Sequence, residues 1–174
     1  MPAVKRIKHI FIRHPPLADM QGICYGALDI EIKDAVVLQY ADALKKQLPF
    51  LPVISSPLQR CFSLAQALDV NAKQDARLIE MNFGDWQGQH WDSIDRLALD
   101  AWAKDVTKFR APNGENFIDV ITRLNVFFNQ LEVPHILITH AGVIRAAHYL
   151  LGAVPIEQAA AIGIPYAAPI IIRA

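Results

Sequence analysis

Two rhythms of apolar and polar positions alternate along the chain. Ile7 to Arg13, Val53-Ile54-Ser55 and His135 to His140 are short apolar runs rich in β-branched residues, and they read as buried strands. The stretches between them carry apolar residues at helical spacing. Asp34 predicts the N-cap of a helix over "AVVLQYADALKKQL", with Pro49 and Pro52 beyond its end. Ser56-Pro57 read as N-cap and first residue of a helix running to about Leu68. Part of 90–104 is expected to be helical. Pro112-Asn113-Gly114-Glu115 forms a turn that opens a helix through about Leu131, and Ala141-Gly142 leads into "VIRAAHYLLG", stopped at Gly152. Residues 15–33 and most of 70–90 read as loop. The tail, 160–173, is apolar but broken by Gly163, Pro165 and Pro169, and it reads as two strands.

Alternating strands and helices predict an α/β fold: a three-layer α/β/α sandwich with a mostly parallel central sheet and helices on both faces. No repeat or low-complexity linker interrupts it, so residues 1–174 are read as one domain.

Composition narrows the partners. With 174 residues, 53% hydrophobic and 20% charged, the chain can bury a sizeable core. Lys+Arg and Asp+Glu both total 17, so neither nucleic acid nor an acidic membrane surface is expected as a partner. The two cysteines, Cys24 and Cys61, show no metal-ligand spacing and make no disulfide framework, which favours reduced thiols in the cytoplasm. The opening "MPAVKRIKHIFIRH" is too interrupted for a signal peptide, and no stretch reaches the roughly 18 apolar residues that span a bilayer. A monomer and a homodimer both remain open.

Three strand ends share one chemistry. The first ends in Arg13-His14. The second ends in Ser55-Ser56-Pro57, with Arg60 one turn into the next helix. The third ends in Thr139-His140, before Ala141-Gly142 and a helix N-terminus. In a mostly parallel sheet these ends lie on one edge, where open α/β sheets place their sites. Two arginines and two helix N-termini suit a phosphoryl group. A histidine among such cations is held neutral, so a free ring nitrogen can attack phosphorus. The second histidine can donate to the phosphoryl oxygens in the transition state. Glu80, in "RLIEMNFGDWQG", is the candidate acid for the leaving oxygen. Each residue alone is ordinary: a frayed strand tip, a satisfied histidine, a solvated helix arginine, a surface carboxylate. His9, His90, His135 and His148 have no such company and read as structural.

The blocks "RH", "SSPLQRC", "LIEMNFGDWQG", "PNGENF" and "ITHAGVIR", in this order over residues 11–145, resemble the histidine phosphatase superfamily, also called phosphoglycerate mutase-like. The resemblance implies that His14 is the nucleophile and forms a phosphohistidine. Arg13, Arg60 and His140 would complete the phosphate pocket, and Glu80 would protonate the leaving group. Glu115 would steady the pocket from behind. No metal or organic cofactor is implied, and the partner is a small-molecule phosphate ester. The chain departs from the family's Arg-His-Gly-Glu-Thr opening and the Asn that follows: Pro15, Pro16, Leu17 and Met20 stand there. Pro15 has no N–H to give a phosphate, but it restricts His14 to an extended backbone.

About 35 residues separate Glu80 from Glu115, short for the capping insertion of the mutases, which favours a phosphatase. The segment "GICYGALDIEI" is similar to the Cys-Tyr-Gly-x-x-Asp stretch of α-ribazole phosphatases, which act in cobalamin synthesis; its plain alternative is a turn. A mutase-type phosphotransferase, a broad-specificity sugar or nucleotide phosphatase, and a catalytically weakened phosphate-binding module are the rival expectations. Trp86 and Trp91 flank the acid loop and are read as core, with stacking on a flat base as the alternative.

Overall fold

A computed structural model of the chain describes residues 7–152 and 154–172. The first six residues of the stretch read against a signal peptide, and the last residue of the tail, lie outside these. The strands are β1 (Ile10–Arg13), β2 (Val53–Ser55), β3 (Lys73–Gln74), β4 (Ile136–Thr139) and β5 (Pro169–Ile171). The helices are α1 (Asp34–Lys45), α2 (Gln59–Leu68), α3 (Arg96–Lys104), α4 (Phe117–Gln130), α5 (Ala141–Gly152) and α6 (Ile156–Ala161). The sheet order is β3-β2-β4-β1-β5; all pairs are parallel except β1 with β5.

The near-continuous apolar strands are buried on both faces, as their pattern predicts. On one side Ile10, Ile12, Ile136 and Ile138 pack with Ala41 and Leu44 of α1 and Leu64 of α2. On the other, Phe11 and Leu137 pack with Leu124 and Phe128 of α4 and with Ile144 of α5. Each such side chain contributes roughly 1.5–3 kcal/mol on burial. The register Arg13↔Thr139 and Ser55↔Ile138 brings the C-terminal ends of β1, β2 and β4 level on one edge.

Helix starts differ from the sequence reading in two places. Asp34 is the first helical residue of α1, and no side chain caps it. The second helix begins at Gln59 rather than Pro57, and its cap arrives from a distant loop: Gln59 N–H donates to Asp29 Oδ1 at 2.7 Å. Asn116 and Asp119 form a reciprocal capping box at α4, which fixes the turn after Glu115.

The tail corrects a larger expectation. Its first part is not a strand but the end of α6, because Ala159-Ala160-Ala161 are strong helix formers and Ala159 packs fully buried. One strand remains, β5. Between them Tyr166 bridges back to Arg13.

A third apolar cluster lies outside the sheet layers. Trp86 stacks on Phe109 at 5.7 Å, Trp91 on Trp102 at 5.8 Å, and Phe83 meets Trp91 and Trp102 edge-on. Gly26, at φ +39°, lets the 22–29 loop pass close to Met81 O and the Gln87 side chain.

Candidate active site at the strand ends

His14 and His140 meet at the sheet edge, their ring centroids 5.3 Å apart. His14 follows β1 directly and is 1% exposed. Its Nδ1 lies 2.7 Å from Pro15 O. A carbonyl can only accept, so Nδ1 carries the proton and Nε2 is left with its lone pair. Pro15 lacks an N–H, but the group it supplies to His14 is its carbonyl. Burial lowers the His14 pKa to about 3, with Arg60 and Arg13 acting in the same sense and the Pro15 carbonyl against them.

His140 is fully buried, and its pKa is also lowered well below the ordinary value, first by burial and then by Arg60 and His14. Its Nε2 shares a 2.9 Å hydrogen bond with Ser56 Oγ, which also accepts from Leu58 N–H. The Cys61 thiol lies 3.4 Å from the same nitrogen. Ser56 thus sets the tilt of His140 rather than capping α2.

Arg60 is fully buried. It donates to Gly26 O and Leu28 O, each at 2.5 Å, so the 26–29 loop is strapped across the start of α2. Arg13 donates to Ile164 O at 2.9 Å and lies 3.5 Å over the Tyr166 ring. Among the described residues, three buried side-chain polar atoms lack a hydrogen-bond partner, and two of them are the Nε donors of Arg13 and Arg60. Unmet donors on two arginines beside a neutral histidine are the capacity an oxyanion would fill.

Glu80 reaches the same edge from the loop after β3. Gly142 N–H, in the first turn of α5, donates to its Oε2 at 3.1 Å, and Met81 N–H to its Oε1 at 3.0 Å. A Cβ at position 142 would press on that carboxylate, so a side chain there would push Glu80 aside. Glu115 accepts from Asn82 N–H at 2.9 Å and pairs with Arg123 at 3.1 Å, which ties the Glu80 loop to α4. Arg123 also donates to Arg77 O.

A cavity of about 810 Å³ adjoins this sheet edge. Arg13, Glu80 and Gly142 line it; His14, Arg60 and His140 do not. Tyr25 and Tyr166 pack edge-on against His14, at 6.3 and 5.6 Å, and line the cavity in its place. Sequence reasoning missed Tyr166 and Arg145. Arg145 stands one helical turn after Ala141 on α5, and that i, i+4 spacing was the available signal. Trp86 is core, as read, whereas Trp91 is a cavity wall. Both cysteines are free and buried; burial pushes the Cys24 thiol up to about 12 and Cys61 higher still. Among the described residues no cluster of three His, Cys, Asp or Glu could hold a metal, and no helix is long and apolar enough to cross a membrane.

Comparison with known proteins points the same way. Residues 9–174 match the histidine phosphatase superfamily (branch 1). The glucosyl-3-phosphoglycerate phosphatase of Mycolicibacterium vanbaalenii is 29% identical over 155 residues, covering 76% of this chain and 68% of that one. The structure of mycobacterial glucosyl-3-phosphoglycerate phosphatase complexed with VO3 superposes with a TM-score of 0.77 at 27% identity, covering 94% of this chain and 90% of that one. Phosphoglycerate mutase from Thermus thermophilus gives a TM-score of 0.73 at 30% identity, covering 84% of this chain and 85% of that one. The chain belongs to the histidine phosphatase superfamily, and its chemistry is the hydrolysis of phosphoric monoesters.

Proposed function

We propose that this protein is a metal-independent phosphomonoesterase that works through a phosphohistidine on His14. The observation that carries the reading is the bare Nε2 of a neutral, buried His14 beside two arginines with unmet donors. The ester's phosphorus is attacked by Nε2, and the P–O bond to the alcohol breaks. Glu80 gives the departing oxygen its proton. Water then attacks the phosphohistidine and loses a proton to Glu80, releasing inorganic phosphate. Arg13, Arg60 and His140 hold the equatorial oxygens as charge shifts onto them. Glu115 keeps the Glu80 loop in place through Asn82.

Within that reaction, α-ribazole 5′-phosphate is the proposed substrate on the strength of Cys24-Tyr25-Gly26 and Asp29. In this fold Tyr25 lies 5.1 Å from Arg60 and against His14, and Gly26 and Asp29 hold α2. These residues therefore shape the phosphate end, and of the four only Tyr25 and Gly26 line the cavity. The names of the relatives favour a second reading, glucosyl-3-phosphoglycerate.

Rapid mixing with each ester, quenched at alkaline pH to preserve a phosphohistidine, tests the reaction by mass spectrometry. A phosphoryl adduct on His14 that forms and decays with phosphate release supports it. Phosphate release with no adduct, and with His14→Ala still active, overturns it. The ratio of kcat/KM for the two esters decides between the substrates.

A further inference from the structure

The cavity has two unlike ends. Its charged residues are Arg13, Glu80 and Arg145, all at the phosphate edge. The remainder is lined by Leu17, Met20, Ile23, Phe83, Trp91 and Trp102, among other apolar groups, with Gln21 the single side-chain amide. Trp91 and Trp102 are stacked on each other, 17° from parallel, and Phe83 buttresses both edge-on. The stacked rings of this wall present rigid apolar surface. A polyhydroxylated leaving group would lose its water there and find little in return. A flat apolar one would bury area against aromatic rings.

We propose that this wall is the leaving-group subsite, and that it selects phosphomonoesters of apolar, ring-bearing alcohols over those of polyols and sugars. The proposal rests on the phosphatase reading above. Leu17, Met20, Trp91 and Trp102 are its specificity-determining residues. Leu17 and Met20 belong to the loop that follows the nucleophile, so the departure of this loop from the usual polar motif is here a change of substrate class.

The test compares 2-(indol-3-yl)ethyl phosphate with glycerol 3-phosphate and glucose 6-phosphate, all esters of primary alcohols. The indolyl ester is expected to have the higher kcat/KM by about tenfold or more. Met20→Gln and Leu17→Asn, at half-buried positions lining the cavity, should each shrink that ratio severalfold; Trp91→Ala should shrink it further. Equal kcat/KM for the three esters overturns the subsite. Calorimetric binding of 2-(indol-3-yl)ethylphosphonate and of 2-hydroxyethylphosphonate to the native protein separates the two readings, since neither can be hydrolysed. Preferential binding of the indolyl compound without turnover of any ester keeps the subsite and discards the reaction. Equal binding of the two discards the subsite whatever the turnover.

Discussion

The strand-end site and the aromatic wall of the neighbouring cavity are built by different means. His14, Arg60 and His140 stand on or next to β1, α2 and β4, are at most 1% exposed, and are fixed by backbone carbonyls, a serine and the sheet register. The aromatic wall comes from loops, short turns and one helix, α3, which carries Trp102, and its geometry depends on ring stacking and on the fixed path of the 22–29 loop. The first kind of construction places atoms to within a hydrogen bond. The second places surface. Bond-making chemistry needs the former, and the choice of alcohol needs only the latter.

That contrast can be broken experimentally, beginning with its strongest member. His14→Ala is expected to cut turnover of every ester by about 10⁴-fold or more while circular dichroism stays native. Ordinary activity in that variant would remove the nucleophile from the strand end. Glu80→Gln should cost about 10²–10³-fold on alkyl esters yet little on p-nitrophenyl phosphate, whose leaving group needs no proton. Equal losses on both would take Glu80 out of the acid role. Gly142→Ala pushes a methyl against the Glu80 carboxylate, so it should copy the leaving-group signature of Glu80→Gln at a smaller size. An unchanged profile would show that the Gly142–Glu80 contact does not position the acid. Glu115→Gln breaks a partly buried pair and should lower stability by about 1–3 kcal/mol in urea unfolding, with a modest loss of kcat on alkyl esters. Loss of stability with no change in kcat would confine Glu115 to holding the fold.

Acid acts on the strand-end half in the same direction. His14 titrates at about 3 in the folded state and His9 at about 4, each chiefly because burial opposes its charge. Unfolded, each returns to about 6.5. The unfolded chain therefore binds more protons between these values. The stability these residues contribute is full above about pH 6.5 and is lost as pH falls through that window. Urea midpoints from pH 7 to pH 4 should decline, and the decline should be smaller in His14→Phe. An equal slope in both proteins would show that His14 is not the source.

The strand-end half was legible in the sequence because its period is local. An apolar run followed by Arg-His or Thr-His reports both a strand and where it ends, and α4 and α5 follow from helical spacing. The misreadings came from long-range contacts. Ser56 looks like a cap, yet its hydroxyl is engaged by His140, 84 residues away in sequence, and the true cap of α2 is Asp29, from 30 residues upstream. Tyr166 sits in an apolar segment, broken by prolines, that reads as two strands, and nothing local says that it folds back over Arg13. Trp91 reads as core from its company, yet it is only partly buried and lines the cavity.

The Nδ1–carbonyl contact of His14 has a consequence for the intermediate itself. Phosphohistidine exists as two isomers, and the carbonyl of Pro15 closes off the pros nitrogen. On the proposed mechanism the phosphoryl group would therefore reside on the tele nitrogen alone. A reagent or resonance that tells the isomers apart should find the tele form alone during turnover, and a pros adduct would mean that the imidazole had first turned over in its pocket.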